Sequence, residues 1–210
     1  MKKFYLIASS LFLGAVLYAD AAKEIVLPKP DLTSGKPFMQ CVAERRTKRK
    51  FSTKALPLQI VGEVLYVADG ISSKDGRKTV PTARNKQNQS VYAFTADGVY
   101  LYNSKKHALE LVLAGDFREK CGAQPFHKKA PLVLLFVSDM KAVGNTLEEQ
   151  ALYAGNHSGS ASQNVYLYAA NKDLATVVCG MLDRKALKEL LKLNAGQMVI
   201  YSQPIAYPAK

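Results

Sequence analysis

The longest helical pattern in the chain, Leu147 to Asn171, sets the strongest constraint on its fold. Leu147, Ala151, Ala154, Ser158, Ala161, Val165 and Tyr168 recur four and three residues apart and form one continuous seam. The middle of that seam is small. Gly155 and Gly159 each cost roughly 1 kcal/mol relative to alanine in a helix interior, so the sequence predicts that another backbone approaches closely there. A packed helix at a homodimer interface would supply that approach.

Around this helix the apolar pattern predicts both strands and helices. Ala130 to Ser138 is a nearly continuous apolar run after Pro131 and reads as a buried central strand. Ser90 to Thr95 and Val99 to Asn103 are β-rich runs joined by Ala96-Asp97-Gly98, a hairpin pattern expected to need positive φ in its turn. Tyr100 and Tyr102 alternate along the second run, the spacing of packing groups, with a substrate entrance as the other possibility. A helix is expected over Phe38 to Lys48, burying Phe38, Met39, Val42 and Ala43, and a second over Leu56 to Asp69, with Ile60, Val61, Val64, Leu65 and Ala68 on one side. Leu174 to Cys179 is β-rich, Asp183 looks like the cap of a helix reaching Leu193, and Gln197 to Ser202 reads as a final strand. Residues 116–129 have no clear period and are a candidate lid.

At 210 residues without a visible repeat, the chain is expected to hold one domain. Met1 to Ala22 carries Lys2 and Lys3, an apolar run from Phe4 to Leu17, then small residues at Ala19, Ala21 and Ala22, the arrangement of a secretory signal peptide. The apolar run is shorter than the roughly 20 residues a spanning helix needs, so no stable membrane insertion is expected after cleavage. The boundaries are therefore a signal peptide over 1–22, an extended arm with Pro28 and Pro30 over 23–37, and one domain over 38–210. The mature protein is expected to be exported, periplasmic or extracellular.

Lysine plus arginine number 29 against 17 acids, a net charge of +12, which points to an anionic ligand or surface. No helix-turn-helix, zinc-finger or aromatic RNA-binding pattern accompanies it, and no nucleic acid is expected. Cys41, Cys121 and Cys179 are too few and too far apart for a disulfide framework or a Cys-x-x-Cys site. His107, His127 and His157 lack ligand spacing, and no metal is expected.

Five cations fall within the eight residues from Glu44 to Phe51: Arg45, Arg46, Lys48, Arg49 and Lys50. Guanidinium groups are planar, permanently charged and able to bind phosphate through paired hydrogen bonds. Composition alone favours a solvated basic face, and cations at a helix C-terminus also have a purely structural reason. However, Arg45-Arg46-Thr47-Lys48-Arg49-Lys50-Phe51 resembles the Arg-Arg-Ser-x-Arg-x-Phe segment that opens the nitroreductase-like family of FMN flavoproteins. Further resemblances follow in the family's order. Pro81-Thr82-Ala83-Arg84-Asn85-Lys86-Gln87 is similar to its Pro-Ser-x-x-Asn-x-Gln segment, with Asn88 where a proline is usual. Gln163-Asn164 resembles a Gln-Asn pair on its dimer helix, Cys179-Gly180-Met181 a turn beside the flavin, and Ile205 to Pro208 its Gly-Tyr-Pro ending. Gly98 to Tyr102 with Lys105 to Leu111 resembles the SagB-type dehydrogenase branch, in which such a hairpin leads into a short helix.

The resemblance implies an α+β fold with a mainly antiparallel sheet flanked by helices, in an intertwined homodimer holding two FMN molecules. Together with the signal-peptide pattern, it implies an exported FMN-dependent oxidoreductase that passes a hydride or electron pair through flavin N5, in ping-pong order, between a small-molecule electron donor and acceptor. Arg45, Arg46 and Arg49 would neutralise the phosphate, and Thr47 and Asn85 would hydrogen-bond the cofactor. Pro81, Thr82 and Ala83 would pack on the ring from the other subunit, and Cys179 with Gly180 would face N5. Catalytic side chains are not implied, because the cofactor carries the chemistry. Asn88 and an ending that offers only Lys210 in place of further basic residues motivate the alternative, a non-catalytic ligand-binding module that kept the dimer fold and lost or repurposed the flavin site.

Overall fold

The computed structural model describes residues 21–209; the signal-peptide reading falls almost wholly on residues outside that range, as does Lys210. Seven strands form one sheet: β1 (Glu24–Val26), β2 (Gln89–Phe94), β3 (Gly98–Asn103), β4 (Ala108–Ala114), β5 (Leu132–Asp139), β6 (Ala175–Thr176) and β7 (Gln197–Ala206). Their order is β1-β4-β3-β2-β5-β7-β6, and every neighbouring pair is antiparallel. Five helices flank the sheet: α1 (Phe38–Glu44), α2 (Leu58–Asp69), α3 (Phe126–Lys129), α4 (Leu147–Asn171) and α5 (Arg184–Leu190). The α+β class expected from the sequence, a mainly antiparallel sheet flanked by helices, is the class observed.

β5 is apolar without interruption because helices and loops cover both its faces. Leu132, Leu134 and Phe136 pack with Val64, Leu65 and Ala68 of α2 and with Ala161 and Val165 of α4. Val133, Leu135 and Val137 point the other way, into a second core with Phe51, Cys121, Leu187 and Leu191. The period of two along a strand thus sorts one apolar run into two cores.

α4 begins at a capping box in which Thr146 Oγ1 accepts from Glu149 N and Glu149 Oε2 accepts from Thr146 N. The expected seam is buried at Ala154, Ser158, Ala161 and Val165, while Leu147 and Ala151 project beyond the sheet into solvent. A Cβ built on Gly155 or Gly159 meets nothing within 4 Å, so among the described residues of this chain no backbone makes the close approach there.

Several local expectations change. α1 ends at Glu44, four residues early, because Arg45 leaves the helix at φ −53°, ψ 120°. Phe38 and Met39 are 67% and 72% exposed, Val42 and Ala43 are also exposed, and only Cys41 is buried, because α2 and α4 already cover that side of the sheet. The β2–β3 hairpin forms, yet neither Asp97 nor Gly98 has positive φ. Glycine is needed at 98 for proximity, since a Cβ there would lie 2.8 Å from Leu113 O. The helix implied after β3 is instead strand β4, entered through His107 at φ 49°. Tyr100 and Tyr102 are 2% and 5% exposed and belong to the core, not to an entrance. The arm contributes strand β1, and His107 ties it down through Leu27 N to His107 O, 3.0 Å, and Pro28 O to His107 Nε2, 2.9 Å. The segment read as a lid is pinned: Cys121 and His127 are fully buried, and Ser202 Oγ donates to Cys121 O at 2.6 Å. Among the described residues no helix is long and apolar enough to cross a membrane.

Glu63, 3% exposed, joins the arm to both large helices. It accepts from Asp31 N (3.1 Å), Gln59 Nε2 (2.7 Å) and Tyr168 OH (2.6 Å). Burial pushes its carboxyl up, but these bonds and Lys172 outweigh that and hold it below the ordinary carboxylate range. Its folded-state pKa lies below the unfolded one, so its contribution to stability is complete above the unfolded value and is lost as pH falls through the depressed one. Glu63→Leu leaves three donors without their acceptor and is expected to lower stability by about 2 kcal/mol. Urea unfolding at neutral pH checks this, and the gap between variant and wild type should shrink in acid.

Candidate functional site

Beyond α1 the chain runs extended through the basic segment and along the open edge of β6. Lys48 N donates to Thr176 O at 3.0 Å, and Phe51 bridges to Pro208. Among the described residues no carboxylate lies within 4 Å of Arg45, Arg46, Lys48, Arg49 or Lys50, although Lys36, Lys78, Lys106 and Arg118 all have such partners. The three arginines differ in what occupies them. Arg46 turns back and donates to Ala43 O and Arg45 O, both at 2.8 Å, satisfying carbonyls left open at the end of α1. Arg45 lies over the Tyr166 ring, 5.2 Å from its centroid. Arg49 is exposed, and its charge bears on the Cys179 thiol.

Tyr166, on α4, joins this segment to the Cys179-Gly180 turn. Its hydroxyl accepts from Val178 N at 3.0 Å and shares a hydrogen bond with the Thr47 hydroxyl, also at 3.0 Å. Tyr166 thus touches Arg45, Thr47 and the residue just before Cys179-Gly180, while Arg49 comes close enough to Cys179 for its charge to act on the thiol. The two members of the turn separate in role. Cys179 N donates to Ser202 O (2.8 Å) and Ser202 N to Cys179 O (3.0 Å), so the Cys179 backbone is fully used by β7. Its thiol is buried, and burial pushes it up against a smaller opposing pull from Arg49, as befits a packing group more than a redox thiol. Gly180 N, in contrast, makes no hydrogen bond among the described residues. Gly180 does not have positive φ, and a Cβ on it would meet only the Tyr201 ring, at 4.0 Å. Neither its conformation nor packing inside the chain demands glycine there.

Arg184, which the sequence reading missed, holds that turn in place. It donates to Gly180 O (3.2 Å), Val199 O (3.0 Å) and Ile200 O (3.0 Å), directly after the expected cap Asp183, whose Oδ1 accepts from Ala186 N. A cleft of about 870 Å³ opens beside Gly180, lined by Phe117, Met181, Leu182 and Leu190.

Pro81, Thr82, Ala83 and Asn85 lie elsewhere. This segment attaches to α4 through Ala83 N and His157 Nε2, at 2.9 Å. Nine residues separate His157 from Tyr166, about 13 Å along the helix at 1.5 Å per residue. Within one chain the expected site residues thus form two groups at different heights on α4. Tyr166 and His157 carried no local signal, because each acts through partners distant in sequence.

A model of the nitroreductase family matches residues 42–207. A candidate nitroreductase of Ralstonia eutropha has a solved structure that is 34% identical, covers 90% of this chain and 91% of that one, and superposes with a TM-score of 0.85. A candidate nitroreductase of Methanocaldococcus jannaschii is 27% identical over 162 residues, 72% of this chain and 82% of that protein. A solved candidate nitroreductase of Desulfovibrio desulfuricans, in complex with FMN, shares the fold at 19% identity and a TM-score of 0.61, covering 84% of this chain and 89% of that one. The chain belongs to the nitroreductase family.

Tyr166→Phe removes one oxygen that serves two partners. It should cost about 1 kcal/mol in urea unfolding, since Val178 N loses its acceptor, and hydrogen exchange over residues 45–48 and 177–179 should speed up together.

Proposed function

We propose that the chain is an FMN-dependent oxidoreductase that acts as a homodimer after export. The observation that carries this reading is that Tyr166 links Arg45 and Thr47 to Val178, shortly before Gly180, whose N–H is unused among the described residues, with Arg49 acting on the adjoining Cys179 thiol. Donor chemistry supports the fit: guanidinium groups without carboxylate partners suit a phosphate dianion, and a glycine with room above it suits a ring lying close to the backbone. Bound FMN would supply reversible two-electron transfer, in ping-pong order between a small donor and a small acceptor.

The residues have distinct tasks. Arg45 and Arg49 neutralise the phosphate, Arg46 shapes the turn and adds charge, and Thr47 offers its hydroxyl. Gly180 directs its N–H at the flavin, with Cys179, whose carbonyl shares that peptide, held to β7 and Arg184 fixing the following peptide through Gly180 O. Pro81, Thr82, Ala83 and Asn85 complete the site of the partner subunit, which is consistent with their distance from Tyr166 in one chain. The outward Gly155 and Gly159 and the exposed Phe38 and Met39 favour a second copy packing there. The cleft beside Gly180, which joins Phe117, Met181, Leu182 and Leu190 with the charged Glu119, Lys120 and Glu189, has room for a small acceptor.

Export rests on the Met1 to Ala22 pattern, and a donor other than a nicotinamide dinucleotide suits a compartment outside the cytoplasm. Assignment to the SagB-type branch rests on Gly98 to Leu111 alone, and strand β4 where that branch has a helix weighs against it. The non-catalytic alternative is favoured by Asn88.

Purified protein decides between the two: a yellow dimer whose absorbance bleaches with dithionite and returns with an acceptor supports the enzyme. Colourless protein that takes up no added FMN overturns it. Replacing Arg45 and Arg49 together by alanine should weaken FMN binding by about 100-fold or more, at roughly 1.5–3 kcal/mol per charge-assisted bond. Size-exclusion chromatography should still show a folded dimer.

A further inference from the structure

Residues 81–88 are held in a conformation that their own sequence does not favour. Arg84, Asn85 and Gln87 have φ of 53°, 52° and 45°, in the left-handed region that costs a non-glycine residue on the order of 1 kcal/mol or more. A segment of this kind keeps its shape only if its surroundings fix it. Some fixing is local, as Gln87 N donates to Thr82 Oγ1 at 2.9 Å and Gln87 Nε2 to Gly76 O at 2.9 Å.

The tie from the segment to α4 is His157, 2% exposed. Its Nε2 lies 2.9 Å from Ala83 N, a donor, so this nitrogen must carry a lone pair. Its Nδ1 lies 2.7 Å from Asn88 Oδ1 and so carries the proton. Asn88 is itself oriented, since its amide nitrogen donates to Ser138 Oγ at 2.6 Å on the central strand β5, and its main-chain oxygen accepts from Asp139 N at 2.8 Å. Asn88 is 6% exposed. A chain of oriented groups thus runs from the sheet to the backbone of the segment and selects one tautomer of the imidazole. Proline, usual at position 88 in the resembling motif, could not orient the ring.

We propose that His157 is a positioning residue for the flavin site: set by Asn88 and Ser138, it holds the Ala83 backbone so that Thr82 to Asn85 present one fixed surface to the cofactor of the partner subunit. The inference rests on the reading of this segment as a flavin contact, and it gives Asn88 a task within the site in place of a sign of decay.

The test uses the full-length dimer, FMN titration followed by flavin fluorescence, and hydrogen exchange at the Ala83 amide. His157→Phe keeps a planar ring without either nitrogen function; His157→Gln retains one acceptor and one donor. The phenylalanine variant should lose protection at Ala83 and bind FMN about tenfold more weakly or worse, given how steeply such sites depend on sub-ångström placement. The glutamine variant should recover most of both. Should the phenylalanine variant not fold, Ser138→Ala gives the same comparison at greater distance, with faster Ala83 exchange and weaker FMN binding in step. Unchanged FMN affinity in a folded variant whose Ala83 amide exchanges freely overturns the positioning role, as does a folded glutamine variant no better than phenylalanine. Wild-type protein that binds no FMN overturns the cofactor reading itself, and the role of His157 with it, whatever the Ala83 amide does.

Discussion

Burial of β5 on both faces is the constraint from which the rest follows. Its residues from Leu132 to Val137 are essentially without solvent exposure, and their backbone groups pair with β2 on one side and β7 on the other. A strand so enclosed can carry no ionised chemistry, since an unpaired charge there would cost several kcal/mol. Functional groups are thereby driven to the periphery: the β6 edge, the turn after Cys179 and the loop before β2. Ser138, still fully buried, and Asp139 are the first residues of β5 with polar side chains, and both contact Asn88.

α4 converts that enclosed strand into a scale for the periphery. One face supplies Ala161 and Val165 to the core. Its length lets Tyr166 and His157 serve different segments, the first joining the arginine stretch to the Cys179-Gly180 turn and the second holding the loop of residues 81–88. Both side chains use neutral hydrogen bonds, which specify geometry at modest energetic cost. Arg45 and Arg49 have no carboxylate within 4 Å among the described residues.

What could be read from the sequence follows this division. β5, α2, α4 and the β2–β3 hairpin were legible because their patterns report periodic burial, which belongs to the local chain. The face of α1 was misread for an instructive reason: Phe38, Met39 and Val42 have the spacing of a buried stripe, but spacing does not say whether the covering surface belongs to the same chain. Gly98 was correctly placed at a turn and wrongly explained, because what requires it is the Leu113 carbonyl on the adjacent strand. The arginines and Gly180 stood out as residue types matching a motif. Tyr166, Arg184 and the link from Asn88 to His157 did not, since a tyrosine hydroxyl meeting a threonine 119 positions away leaves no periodic trace.

The extended course of residues 45–52 has a consequence apart from any ligand. β6 is only two residues long and ends the sheet. The basic stretch lies against it through Lys48 N and Thr176 O, while Lys50 O accepts from Ala209 N. An uncovered border of this kind invites strands from other molecules, and lysine-rich cover is a common guard against such stacking. The backbone of this stretch therefore closes a border that would otherwise stand open to foreign strands, a task that does not depend on what its side chains bind.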